Sequence, residues 1–248
     1  YNMNPKKQIF KLYEKGFKKL GAIYQRQYPN EEFCRFMGRN FFHIHKSKRK
    51  KINFLEVGVG SGANLSLIAN EGYNASGIDI SKDSIKITKS LFKKENFKAN
   101  LKVGDMTNIP YESNKFDCVF DVFSSCLLAK KDGEIFLNEV SRVLKKGGKF
   151  FSYFPSKKSK MFKSKNKKMF DEDTIFKLND KKSIYKIDNA PMRFLDKKQY
   201  VNMLKKNNIS TLYSEELSKT YFNGKDQFTF VIIESIKNSS NTNNKKNF

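Results

Sequence analysis

The run from Phe54 to Asn64, Phe-Leu-Glu-Val-Gly-Val-Gly-Ser-Gly-Ala-Asn, constrains this chain more than any other stretch. Apolar residues end in an acid, and three glycines then alternate with small residues. The pattern predicts a buried strand that turns tightly into a helix. Gly58, Gly60 and Gly62 let a ligand approach the backbone. The helix start adds unpaired N–H groups and the positive end of the helix dipole. A nucleotide-binding turn is the expected outcome.

From residue 52 onward strand and helix patterns alternate, which predicts a parallel sheet with helices on both faces. Strands are expected at Ile52–Val57, Ala75–Ile80, Ala99–Val103, Phe116–Val122 and Lys149–Phe154. The intervening helices run from Ala63 to Asn70, from Ser81 to Phe92 and from Gly133 to Leu144, the last stopped by Gly147-Gly148. A helix from Asp196 to Asn207 and two closing strands, Ser210–Ser218 and Gln227–Ile236, follow. Residues 155–195 interrupt the alternation with seven lysines between Lys157 and Lys168 and strand-like pieces at Thr174–Leu178 and Ser183–Ile187.

Upstream, residues 5–27 read as a basic amphipathic helix, with Ile9, Phe10, Tyr13, Phe17, Leu20 and Ile23 at helical spacing. Asn30 is expected to cap a second helix whose apolar face is Phe33, Phe36, Met37 and Phe41. The charged run Lys46–Lys51 reads as a solvated loop, and residues 237–248 as a disordered tail.

Two cofactor classes fit the glycines alone. Gly58, Gly60 and Ala63 satisfy the dinucleotide fingerprint G-x-G-x-x-G/A, with Asp79 about 20 residues further on. The tighter pattern is acid-x-Gly-x-Gly-x-Gly, beginning at Glu56, where dehydrogenases carry an apolar residue. It resembles the first motif of class I S-adenosylmethionine-dependent methyltransferases. Three further landmarks resemble that family's in order and spacing: Gly77-Ile78-Asp79-Ile80-Ser81, Val103-Gly104-Asp105-Met106, and Arg142 to Gly148.

The resemblance covers about residues 52–236 and implies a Rossmann-like, seven-stranded, mostly parallel α/β sheet closed by an antiparallel hairpin. Residues 1–51 would form a helical lid segment, and 155–195 a substrate-side insertion. S-adenosyl-L-methionine would be the cofactor. Gly58, Gly60 and Gly62 would pass close to its methionyl part, and Glu56 would help hold its amino group. Asp79, followed by Ile80, would take the ribose hydroxyls, and Asp105 with Met106 the adenine. Asp121, ending strand four, would contact the methyl-transfer region, and Tyr28 and Arg35 could close over the methionyl carboxylate.

No general base is evident; His43 and His45 read as surface residues, and the loop Ser124-Ser125-Cys126 is a place for substrate contacts. The Asn/Asp-Pro-Pro-aromatic signature of amino-methylating nucleic-acid enzymes is missing, since the chain reads Asp121-Val122-Phe123-Ser124. Cys126 follows Ser125 rather than the proline of cytosine-C5 enzymes.

Composition bears on partners. The 248 residues carry a net charge of +24, but only six of 49 basic residues are arginine, the side chain suited to bidentate phosphate and base recognition. Weak, nonspecific nucleic-acid binding is expected. Three cysteines without a C-x-x-C pair argue against disulfides and structural zinc, and no metal is expected. No apolar run of ~18 residues exists, so a cytoplasmic protein without a membrane partner is expected. The expected activity is methyl transfer to an oxygen or nitrogen of a small molecule: a sugar, a nucleotide-linked intermediate or another anionic metabolite. RNA or protein methylation through the lysine-rich surface, and non-catalytic cofactor binding, are the alternatives. No pattern sets an oligomeric state.

Overall fold

The structure, a computed structural model, describes residues 5–180 and 183–239. Helices α1 (Pro5–Leu20), α2 (Glu31–Asn40) and α3 (Lys46–Arg49) precede β1 (Asn53–Val57). Then come α4 (Ala63–Asn70), β2 (Asn74–Asp79), α5 (Lys82–Lys94), β3 (Ala99–Val103), β4 (Phe116–Val122), α6 (Lys130–Val143) and β5 (Leu144–Pro155). A short helix α7 (Lys160–Lys163) leads into β6 (Lys167–Asp171), β7 (Thr174–Leu178) and β8 (Asp188–Arg193). Helix α8 (Lys197–Lys206) and the hairpin β9 (Ile209–Tyr221) and β10 (Asp226–Lys237) close the described chain.

Seven strands form one sheet in the order β3-β2-β1-β4-β5-β10-β9, and β10 runs antiparallel to both neighbours. The order reverses between β1 and β4, which are parallel partners. At such a switch point the connections leave to opposite faces, so a crevice opens beyond the strands' carboxyl ends. The glycine turn after β1 and the loop after β4 both lie there. Strands β6, β7 and β8 form a separate antiparallel sheet within the 155–195 interruption.

Strict alternation gives each sheet face its own core. Phe54, Phe120, Phe151, Tyr153, Phe230 and Ile232 point one way, where α2 packs, and Phe33 stacks on Phe120 at 4.3 Å between centroids. Leu55, Val57, Val119, Phe150, Phe154, Val231 and Ile233 point the other way, onto α6 and α8 through Phe136, Val140, Tyr200 and Leu204. Each buried phenylalanine stabilises the fold by roughly 1.5–3 kcal/mol. On the α2 face Glu234 accepts from Arg39 Nε (2.8 Å) and Asn40 Nδ2 (2.8 Å), which ties the helix to β10.

Several expectations are corrected. The amphipathic helix stops at Leu20, and a 3-10 turn, Gly21–Tyr24, follows. Gly147 and Gly148 lie inside β5 rather than stopping a helix; α6 ends at Val143 because Leu144 is already extended. Ser183–Ile187 is not a strand, and β8 begins at Asp188. Lys237 belongs to β10, and the tail from residue 240 lies outside the described residues.

The run Lys46–Lys51 is not a solvated loop. His45 caps α3, with its Nδ1 accepting from the Ser47 N–H, and Arg49 is buried. Its guanidinium donates to the carbonyls of Ile44 (2.8 Å), Phe42 (2.8 Å) and Glu71 (3.2 Å), pairs with the Glu71 carboxylate, and lies over the Tyr73 ring. Removing one partner of a buried, multiply bonded ion pair costs about 3 kcal/mol or more. Arg49→Ala should lose about that much stability in urea unfolding, while exposed Lys48→Ala should stay within about 0.5 kcal/mol. Equal effects would contradict the buried role of Arg49.

Candidate active site

The crevice holds a cavity of about 240 Å³. Of the residues the motifs singled out, Gly58, Gly60, Asp79, Ile80, Asp105 and Met106 line it together. Glu56, Gly62, Asp121, Tyr28 and Arg35 are not on its wall.

Two backbone features shape the glycine turn. Gly58 has φ +75°, and a Cβ there would press against the Ser124 side chain, with Oγ at 2.7 Å. Gly60 has φ +58°, and its missing Cβ leaves a niche that the Gln25 amide fills. Both positions combine a left-handed backbone with a close approach, so a side chain would be excluded twice over. Gly62 sits at the N-cap of α4. Helix α5 secures the turn, since the Ser84 hydroxyl donates to the Gly60 carbonyl at 2.7 Å and Thr88 Oγ1 does so at 3.2 Å.

Asp79 ends β2 and uses both oxygens. Oδ2 accepts from the Gly60 N–H (2.9 Å), and Oδ1 accepts from the Ser81 N–H (2.9 Å). Burial raises its pKa against these hydrogen bonds. Asp105 accepts from the Thr107 N–H (2.8 Å), the Thr107 hydroxyl (2.8 Å) and Lys6 Nζ (3.1 Å). Burial would raise the Asp105 pKa, but these partners overcome it and hold the carboxyl below its usual range.

Glu56 lies under the turn, almost wholly buried. Oε1 accepts from Asn64 Nδ2 (2.9 Å), while Oε2 has no hydrogen-bond partner. Burial pushes its pKa up from 4.5 to about 8, opposed by Asn64 and by the charge of Arg26. Arg26 itself lines the cavity.

Asp121 is a brace rather than a wall. Its Oδ1 accepts from the N–H groups of Ser124 and Ser125 (both 3.0 Å), and Ser125 Oγ and Ser152 Oγ bond Oδ2. The Tyr200 hydroxyl extends the network to Ser152 Oγ at 2.7 Å. This scaffold holds Phe123 at φ +62°. A bulky side chain with positive φ costs roughly 1–3 kcal/mol and persists only where surrounding contacts impose it. The turn delivers the Phe123 ring to the cavity, stacked on Tyr185 at 5.2 Å.

Tyr28 is 81% exposed, and Arg35 pairs with Glu31 at 2.9 Å on the outer face of α2. Both stand away from the cavity because the chain between the 3-10 turn and α2 presents Gln25 and Arg26 instead. His43 and His45 are exposed and do not line the cavity. Burial raises the thiols of Cys118 and Cys126 well above their usual range, so neither is a ready nucleophile. Lys6, Tyr13, Gln25, Arg26 and Tyr185 were missed. Only Arg26 carried a signal, being a rare arginine in a lysine-rich chain.

A family model described as a methyltransferase domain matches residues 55–152. Norajmaline N-methyltransferase of Rauvolfia serpentina is 32% identical over 111 residues, 43% of this chain and 37% of that protein. Demethylmenaquinone methyltransferase of Tropheryma whipplei is 35% identical over 96 residues, 38% of each chain. The match thus spans under two fifths of the length of these curated relatives. The fold is shared with Burkholderia thailandensis 1,6-didemethyltoxoflavin-N1-methyltransferase, solved with bound 1,6-didemethyltoxoflavin and S-adenosylhomocysteine. The TM-score is 0.70 over 96% of this chain and 92% of that one, at 9% identity.

The Glu56 environment makes a pH prediction. Between about pH 4.5 and 8 the folded chain keeps a proton on Glu56 that the unfolded chain has released. Stability therefore falls as pH rises through that window, by up to about 1.4 kcal/mol per unit. Wild type should lose stability relative to Glu56→Gln between about pH 5 and pH 8, as read by urea unfolding. Parallel pH profiles would show that the carboxyl ionises freely in the fold.

Proposed function

We propose that the chain is a class I methyltransferase that uses S-adenosylmethionine as cofactor and transfers a methyl group to an oxygen or nitrogen of a small, largely apolar molecule. The observation that carries this reading is the cavity lining beyond Asp79 and Asp105. Ile9, Tyr13, Val122, Phe123, Leu128 and Tyr185 make it apolar and aromatic. Two cations reach the cavity, Lys6 and Arg26. Lys6 lies between Asp105 (3.1 Å) and Asp132 (3.5 Å), and the charge of Arg26 acts on the buried Glu56. An anionic sugar or nucleotide-linked acceptor would have Arg26 as its main cationic partner against a largely apolar lining. The two relatives are named for norajmaline and demethylmenaquinone, both small molecules.

The residues present fit the cofactor. The buried Glu56 Oε2 lacks a partner, as suits a site awaiting a cationic donor. We assign Glu56 to the cofactor's amino group, Asp79 to its ribose hydroxyls, and Asp105 with Met106 to its adenine. When bound, the cofactor supplies an electrophilic methyl group on a sulfonium. The chain's own contribution is alignment and exclusion of water. Phe123 and Tyr185, stacked on each other, offer a flat or apolar acceptor an aromatic surface, and the Asp121 network keeps Phe123 aimed. Burial pushes Tyr185 up to about 12 and raises Tyr13 further, so both hold their protons near neutrality. Neither serves as a base there, and positioning carries the catalysis.

Hydrogen bonds to a charged group contribute about 1.5–3 kcal/mol each. Asp79→Ala should therefore weaken S-adenosylhomocysteine binding by about ten-fold or more in calorimetry. Phe123→Ala and Tyr185→Ala should hold that affinity within about three-fold yet abolish labelling of the small-molecule fraction of a cell extract by radiolabelled cofactor. Unchanged affinity in Asp79→Ala would overturn the site, and label confined to RNA or protein would overturn the acceptor class.

A further inference from the structure

The segment that roofs the cavity has an outer surface that the proposed reaction does not use. Helix α1 turns Ile9, Tyr13 and Phe17 inward, where Phe17 meets Tyr24 edge to face at 5.1 Å. Its outward side is rich in lysine, with Lys11, Lys15, Lys18 and Lys19 all exposed, and also shows Phe10 and Leu12 to solvent. The one acid of the helix, Glu14, accepts from the Lys82 N–H at the start of α5, at 2.8 Å. Helix α5, packed beside α1, adds exposed Lys82, Lys86 and Lys89. Two neighbouring helices thus expose these seven lysines, against the acids Glu14 and Asp83.

An apolar tip adjoins it. Leu20 is 46% exposed at the end of α1, and Ile23 is 75% exposed in the 3-10 turn. The two lie three residues apart across the junction of α1 and the turn. Tyr28 follows at 81%. Ile23 and Tyr28 are the most exposed large apolar side chains among the described residues. Clustered exposed apolar groups mark an interaction surface rather than chance.

Lysines around a protruding aliphatic pair, with a tyrosine nearby, match the chemistry of a bilayer surface. Anionic headgroups attract the ammonium groups, aliphatic side chains enter the acyl boundary, and tyrosine favours the interface. Single-stranded nucleic acid calls for stacking aromatics and arginine along a groove, whereas Leu20 and Ile23 offer a base nothing to pair with. A second copy of the chain would bring two positive faces together. We propose that α1 and its 3-10 turn dock on an anionic phospholipid surface, setting the roof of the cavity against the bilayer. No helix among the described residues is long and apolar enough to cross a membrane, so the contact is peripheral. The docking surface stands independently of what the cavity methylates.

The test is flotation of the full chain with phosphatidylcholine vesicles, with and without about one part in three phosphatidylglycerol. Binding should require phosphatidylglycerol and fall with added salt. Lys15→Glu and Lys18→Glu should each lower partitioning by about five-fold or more. Leu20→Ser with Ile23→Ser should lower it further. None of these residues lines the cavity, so S-adenosylhomocysteine affinity, which reports the folded site, should not change. The chain contains no tryptophan, and Ile23→Trp therefore gives a lone reporter whose emission should shift to the blue on anionic vesicles. Four results would overturn the docking surface: no flotation, equal binding to neutral vesicles, an unshifted tryptophan, or displacement of the chain from vesicles by equimolar single-stranded RNA. Self-association abolished by the same substitutions would assign the face to a second copy and overturn it as well.

Discussion

One buried carboxylate joins the parts on which the site depends. Asp79 receives the Gly60 N–H on one oxygen and the Ser81 N–H on the other. The first bond sets the path of the glycine turn, and the second starts α5, whose Ser84 and Thr88 then hold the Gly60 carbonyl. Strand end, turn and helix start are thereby locked as one unit before any ligand arrives. Each partner is a buried backbone or hydroxyl group, where an unmade bond would cost about 1–3 kcal/mol. The same carboxylate also lines the cavity, so the group that builds the turn is presented to what binds there.

A second carboxylate does a comparable job across the crevice. Asp121 gathers Ser124, Ser125 and Ser152, and the turn it stabilises forces Phe123 into a left-handed backbone. That strain is sustained by the buried network beneath it, and it returns an aromatic wall facing Tyr185. The cavity lining thus combines the acids Asp79 and Asp105 with rings and aliphatic groups. A charged, polyhydroxylated ligand beside an apolar acceptor is what such a lining accommodates.

Most of the sheet was legible in the chain. Ala63–Asn70, Ala99–Val103, Phe116–Val122 and Thr174–Leu178 match their expected bounds, because each combines a clear period with a clear stop. Where one signal stood alone, it misled. The glycine pair at 147 and 148 looked like a helix stop, yet the chain was already extended. The basic run at Lys46–Lys51 looked solvated, but it contains Arg49, whose partners Phe42, Ile44 and Glu71 are supplied by the fold. Arginines here mark tertiary contacts: Arg39 meets Glu234, Arg142 caps the carbonyls of Ile109 and Tyr111, and Arg193 reaches the Lys130 carbonyl. Lys11, Lys15, Lys18 and Lys19 of α1 and Lys82, Lys86 and Lys89 of α5 stay at the surface, so residue type within the basic class carried information that net charge hid.

The sequence by itself determined the glycine turn, the acids at the ends of β2 and β3, the period-two cores and hence the parallel sheet with its crevice. These are local properties: a strand, a tight turn and a helix start are specified by neighbours a few residues apart. What the cavity faces was decided only in three dimensions. Tyr13, Gln25 and Arg26 come from the N-terminal segment, Phe123 from a strained turn, and Tyr185 from the 155–195 interruption. They meet there because packing brings distant segments over the strand ends, and no spacing in the chain records that meeting. The physical reason is that burial and charge compensation depend on partners remote in sequence. For the same reason Glu56, which reads as an ordinary acid, becomes a buried group with a spare oxygen. Tyr28 and Arg35, which read as site residues, turn outward into solvent.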